Sequence, residues 1–73
     1  MVNDNEQRIK EKLDFFLEEK IPIHIKRQDR QFWNGTLIEK KTDDVFVIKE
    51  SKLGLCHLFV KDIFEVEERR GFS

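Results

Sequence analysis

At Pro22 the apolar residues change their spacing, and that change limits what the chain can fold into. Before it, Ile9, Leu13, Phe16 and Leu17 fall at i, i+4, i+7 and i+8, one stripe along a helix face. After it, Ile21, Ile23 and Ile25 alternate with Pro22, His24 and Lys26, the period of a half-buried strand. The spacing predicts a helix over 4–19, opened by an Asn3/Glu6 capping box or by Asp4 as the cap. Glu6 and Lys10 add a favourable i,i+4 pair. The helix closes ahead of Pro22, because a residue before proline avoids the α region. Phe15 lies off the stripe, so it either widens the buried face or meets a neighbour.

From there the chain reads as five strands. Gln28-Asp29-Arg30 is a polar turn, and Gln31 to Lys41 forms a long second strand carrying Phe32, Trp33, Leu37 and Ile38. Gly35 inside it suggests a bulge or bend that lets the strand curl. Thr42-Asp43-Asp44 turns the chain into Val45-Phe46-Val47-Ile48, apolar at four successive positions and so central, with both faces covered. The helix is the only spare element to cover its second face. Ser51-Lys52-Leu53-Gly54 leads to a fourth strand, Leu55 to Val60, and Ile63, Phe64 and Val66 make a short fifth. Leu58-Phe59-Val60 is apolar on both faces, a hazard at a sheet edge unless something pairs with it. One domain spans 1–73: the helix, a barrel over about 21–68, and a flexible tail at 69–73.

A chain of 73 residues buries only about 60% of its unfolded surface, near the lower limit for folding alone. Its single Cys cannot form an internal disulfide, and the two His residues offer no zinc spacing. Neither a metal nor a cofactor is expected. A partner subunit is the expected way to complete the core, so the chain should self-associate. Charged residues make up 40% of it, and no apolar run nears the roughly 20 residues a membrane span needs. The polar, acidic start from Met1 to Glu6 does not read as a signal peptide, and the expected location is cytoplasmic. The net charge of −1 argues against a general polyanion binder. Residues 21–52 nevertheless hold a surplus of two positive charges, which reads either as a solvated mixed-charge surface or as a local binding patch.

A helix followed by five short strands, the second long and bent, is the order of the Sm-like proteins. That superfamily includes the Sm and LSm proteins and the bacterial host factor Hfq. Phe32-Trp33-Asn34-Gly35-Thr36-Leu37 resembles its second strand, and Val45-Phe46-Val47-Ile48 is similar to its third. Leu53-Gly54 through Leu58-Phe59-Val60-Lys61-Asp62-Ile63 is similar to its second motif. The chain thus resembles a divergent, small archaeal-type member over residues 4–68. The resemblance implies a mainly β fold, in which the N-terminal α-helix caps a strongly bent, five-stranded antiparallel small barrel. It also implies a homo-oligomer, ring-shaped as in the family, that binds single-stranded RNA without catalysis. The RNA-reading positions of the family are altered, however. Lys41, Asp44 and Val45 stand in the first motif, and Phe59-Val60-Lys61 in the second.

Three groups of residues are candidates. Lys40, Lys41 and Thr42 fall in the loop that lines the pore of Sm-like rings, where repetition with Lys61 would multiply weak phosphate contacts. The plainer reading is a lysine-bearing turn whose charge Asp43 and Asp44 cancel. Lys26, Arg27 and Arg30 flank the first turn beside Phe32 and Trp33, a setting that can grip phosphates and stack bases. One of those adjacent rings should be buried and the other exposed, with Trp33 a candidate stacking platform. Leu58, Phe59, Val60 and Phe64 are the candidate oligomer interface, strand four pairing with strand five of the next subunit. Cys56 and His57 point to opposite faces of a strand and cannot form a dyad, and no catalytic residue is expected. The alternative function is a protein-interaction or assembly module on the same barrel, with the RNA pocket lost.

Overall fold

The structure, a computed structural model, describes residues 4–69. The Asn3 end of the expected capping box and the tail beyond Arg69 lie outside the described residues. Helix α1 spans Asp4–Glu19, followed by β1 (Ile23–Arg27), β2 (Phe32–Thr42), β3 (Val45–Glu50), β4 (Gly54–Phe59) and β5 (Ile63–Glu68). A single 3-10 turn, Val60–Asp62, joins β4 to β5. All pairings are antiparallel, in the order β4-β3-β2-β1-β5.

Helix α1 ends by its own geometry before Pro22 acts. Lys20 takes a left-handed backbone (φ 56°), its N–H donates to the Leu17 carbonyl (3.3 Å), and the Ile21 N–H donates to that of Phe16 (3.0 Å). This is the Schellman closure, usually built on glycine. Ile21 therefore lies between helix and strand, packed against the core.

The sheet curls strongly but does not close into the expected barrel. Its bend lies in β2, which pairs with β1 through 32–35 and with β3 through 35–42, with register shifts at Leu37/Glu39 and Lys40/Thr42. Gly35 belongs to both pairings. A Cβ there would sit 3.0 Å from the Glu50 Cα and 2.9 Å from the Lys49 carbonyl carbon, so only glycine allows the strands to approach this closely. Strands β4 and β5 remain opposite edges because the 3-10 turn carries the chain from one to the other in place of a hairpin. That crossing is tied down at both ends: the Val60 N–H donates to the Asp44 carbonyl and the Gln28 N–H to that of Asp62.

One apolar cluster fills the curl. Ile9, Leu13 and Phe16 of α1 meet Ile23, Ile25, Phe46, Ile48, Leu58, Val60, Ile63 and Val66. The helix rests against β2, β5 and the 3-10 turn, so it plugs the open side of the sheet. The expectation that it covers the second face of β3 is therefore corrected. Phe46 and Ile48 face the helix-filled core, whereas Val47 lies on the opposite face, buried among its own strand neighbours, with Glu39 and His57 as its register partners. Phe15 is exposed and meets Phe16 ring to ring at 5.8 Å. Among the described residues, no helix is long and apolar enough to cross a membrane.

Candidate functional site

The β1–β2 hairpin is built around a positive-φ arginine. The Arg27 N–H donates to the Gln31 carbonyl and the Arg30 N–H to that of Arg27, with Arg30 at φ 70°. Such three-residue hairpins usually place glycine at the left-handed position. The Asp29 carboxylate accepts from the Gln31 N–H (3.1 Å), and Gln28 Nε2 donates to the Ile63 carbonyl, fixing the hairpin tip to β5.

Of the adjacent rings, Trp33 is interior (9% exposed) and Phe32 faces out (55% exposed). Trp33 is thus no stacking platform: the Arg27 guanidinium lies 4.3 Å over its ring and lids it. Arg27 is ion-paired, with Nε 3.4 Å from Asp29 and Nη2 3.9 Å from Asp62, although its buried Nε makes no hydrogen bond among the described residues. Phe32 stacks on His24 (centroids 5.3 Å, 18° between planes), and His24 Nδ1 lies 2.6 Å from Asn34 Oδ1, an acceptor that requires the hydrogen on Nδ1. Across the hairpin, Phe64 (52% exposed) occupies the register shift where β5 meets Lys26/Arg27, and Lys26 Nζ stands 5.1 Å from its ring centre. Lys26, Arg30, Phe32 and Phe64 line one open groove of about 430 Å³. Two half-exposed rings face the same basic cleft.

The β2–β3 turn is arranged differently. Lys40 Nζ donates to Asp14 of α1 (3.1 Å) and pairs with Asp43 (3.3 Å), and these hydrogen bonds hold its pKa above the ordinary 10.5. Lys41 pairs with Glu39 (3.4 Å), while Lys10 reaches Asp44 (3.0 Å). Thr42 Oγ1 accepts from the Asp44 N–H, a turn-stabilising bond. Lys61 lies apart from these, lining a cleft with Glu6, Asp44 and Phe59. The structure does not bring Lys40, Lys41 and Lys61 together as a free basic patch.

At the far edge, Leu58 and Val60 are core residues of this chain, which removes their side chains from the expected interface. The strand alternation instead turns Leu55 (70% exposed), His57 and Phe59 (42%) outward. Glu50, buried near the bend, carries out a structural task. Its carboxylate accepts from the Asn34 (3.0 Å), Leu53 (2.8 Å) and Lys52 (2.7 Å) N–H groups, and these bonds hold its pKa below the usual carboxylate range.

Phe64 as a partner of Phe32 was missed in the sequence because β5 reads as a plain apolar run. The available signal was three apolar residues, Ile63, Phe64 and Val66, that fit no single alternation. Compared with known proteins, the chain matches no family model and no curated protein.

Proposed function

We propose that this protein is a non-catalytic binder of single-stranded RNA and that the Phe32–Phe64 groove is its contact surface. The observation that carries the reading is the placement of two half-exposed phenylalanines in one groove with Lys26 and Arg30. Single strands are held by this combination, cations following the phosphates and aromatic faces stacking unpaired bases. The Sm-like resemblance agrees with it in ligand class but assigns the contact to the β2–β3 turn. There Lys40 and Lys41 face carboxylates, so the hairpin is the better location. A cytoplasmic homo-oligomer goes with this reading, since a chain this small gains from a partner subunit and a repeated weak site gains avidity.

The test is fluorescence anisotropy of labelled oligo-U and oligo-A over a salt series. Binding should weaken as salt rises, by about 0.7 log units per log unit of salt for each phosphate contacted. Replacing Lys26 and Arg30 together by Ala should flatten that slope. The absence of binding by either oligonucleotide at low salt defeats the proposal.

A second reading, an assembly module, rests on β4. This edge strand carries no Asp, Glu, Lys or Arg and exposes Leu55 and Phe59, whereas the other edge, β5, carries Glu65, Glu67 and Glu68. Edges are normally protected by charge, and β4 lacks that protection. Native mass with and without Phe59→Lys tests it. Loss of an oligomer in a folded variant supports the reading, and unchanged mass removes it.

A further inference from the structure

The Phe32–Phe64 cleft does not end at its two rings. Phe64 also lines a second groove of about 430 Å³, between α1 and β5, whose cations are Arg8 and Lys12. On the opposite side, Phe32 and Arg30 also line a third groove of about 310 Å³, whose cation is Lys52 beside Leu53. The three depressions therefore share walls, and each shared wall includes an exposed phenylalanine. The positive side chains follow one another from α1, over the hairpin, to the β3–β4 turn. The carboxylates along this line are few. Glu50 is already satisfied by three backbone N–H groups, and Glu65, in the wall of the α1–β5 groove, lies opposite Lys26 in the β1–β5 register.

We infer that these grooves form one continuous path for a single RNA strand, which enters at Arg8 and Lys12 of the helix and crosses Phe64. It then stacks across to Phe32 and leaves by Lys52. The inference rests on the proposed RNA-binding reading and extends it. It assigns a ligand longer than the two bases that the two rings can stack, and it gives α1 a second task besides plugging the core. The geometry favours a single strand over a duplex because the rings need unpaired bases to stack on. It favours nucleic acid over an acidic protein because cations alternate with aromatic rings along the whole line. An acidic chain would use only the cations. Lys12 keeps two N–H donors for a phosphate while its third reaches the Val66 carbonyl (3.3 Å).

The experiment is a length series of oligo-U from a dinucleotide up to about 16 nucleotides, the upper end of single-strand site sizes. It uses the full chain and three variants: Arg8→Ala with Lys12→Ala, Arg8→Ala with Lys12→Gln, and Lys26→Ala with Arg30→Ala. The Gln variant keeps a donor for Val66 should the Ala pair lower the melting temperature. Affinity in the parent should keep rising beyond the shortest oligonucleotides. Loss of Arg8 and Lys12 should bring the plateau at a shorter length and reduce the salt slope by about 1.4 at long lengths, with little effect on the shortest. Loss of Lys26 and Arg30 should weaken every length. The path is overturned if the parent binds while the Arg8/Lys12 variants keep its slope and plateau, since the strand then stops at Phe64 and the central groove stands alone. Poly-glutamate competing as well as oligo-U overturns it in favour of an acidic protein partner. Failure of the parent to bind any length removes both the path and the reading beneath it.

Discussion

At the β2–β3 turn Lys40 and Lys41 face carboxylates, whereas at the β1–β2 hairpin Lys26 faces the Phe64 ring and Arg27 is shared between the Trp33 ring and the carboxylates of Asp29 and Asp62. The two clusters hold the same kind of charge. They differ in how much of it is left for a ligand. A lysine between Asp14 and Asp43 exchanges one anion for another when a phosphate arrives, and the gain is small. A lysine over a phenylalanine keeps its N–H donors open and stands beside a surface that a base can cover. Net charge therefore says little about a chain of this composition. The partners of each cation decide where an anion can bind.

The helix must be firmly docked for this difference to hold, because its Asp14 is one of the two carboxylates that occupy Lys40. Leu13, one residue away, is fully buried in the core. Leu13→Ala should cost about 2–5 kcal/mol, as large-to-small core changes do, measured by denaturant unfolding. A loss below about 0.5 kcal/mol would mean a loosely held helix, and Lys40 would then be answered by Asp43 alone.

The rings give the next largest effect. Phe32→Ala and Phe64→Ala should each weaken oligo-U binding by about 1–3 kcal/mol, the range found for base–aromatic stacking. Because both rings are half exposed, the fold should tolerate the change, which circular dichroism can check. Phe15→Ala, on the exposed side of the helix and outside all three grooves, serves as the control. If all three variants bind alike, the hairpin groove has no special standing over any other exposed phenylalanine.

Arg30 separates function from stability within a single side chain. Its positive φ costs an ordinary residue about 1 kcal/mol, which glycine does not pay. Arg30→Gly should raise stability by about that amount and also flatten the salt slope of RNA binding by about 0.7. A variant that is more stable and binds equally well would make Arg30 an incidental occupant of the turn.

Much of this architecture was legible in the sequence, because hydrophobic period reports which face is buried. The helix over 4–19 and all five strands follow from it, while the bend at Gly35 follows from a glycine set inside a strand pattern. Closure was not legible. Whether β4 and β5 pair depends on the 3-10 turn at Val60–Asp62, and Val60-Lys61-Asp62 carries no turn signal of the Gly, Pro or Asn kind. Nor could alternation separate Leu58 and Val60, which are interior, from Phe59 between them, once all three were apolar. The pairing of Lys40 with Asp14 spans 26 residues and exists only after the helix docks. The hairpin cluster was more accessible to reasoning, since its cations and Phe32 are neighbours in the chain. Even so, the choice between Phe32 and Trp33 needed the sheet register, and Phe64 needed the shift in β5.

The smallest effect belongs to Lys40, and it addresses the other half of the comparison. Hydrogen bonds to Asp14 and then Asp43 raise its pKa above 10.5, so the folded protein holds this proton more tightly than the unfolded chain does. The resulting stabilisation is complete below the ordinary lysine value and disappears as pH rises through the raised one. Lys40→Met retains an apolar stem near Phe46, over whose ring Lys40 Nζ lies at 5.8 Å, and removes the charge. The melting temperature of this variant should fall slightly below the parent's at neutral pH, and the gap should close in the alkaline range. Its affinity for oligo-U and its salt slope should match the parent's at neutral pH, because the lysine was already answered by carboxylates. If Lys40→Met instead weakens binding and flattens the slope, a phosphate displaces Asp14 or Asp43 there. The β2–β3 turn would then join the hairpin as a contact, and facing a carboxylate would no longer be what sets the two regions apart.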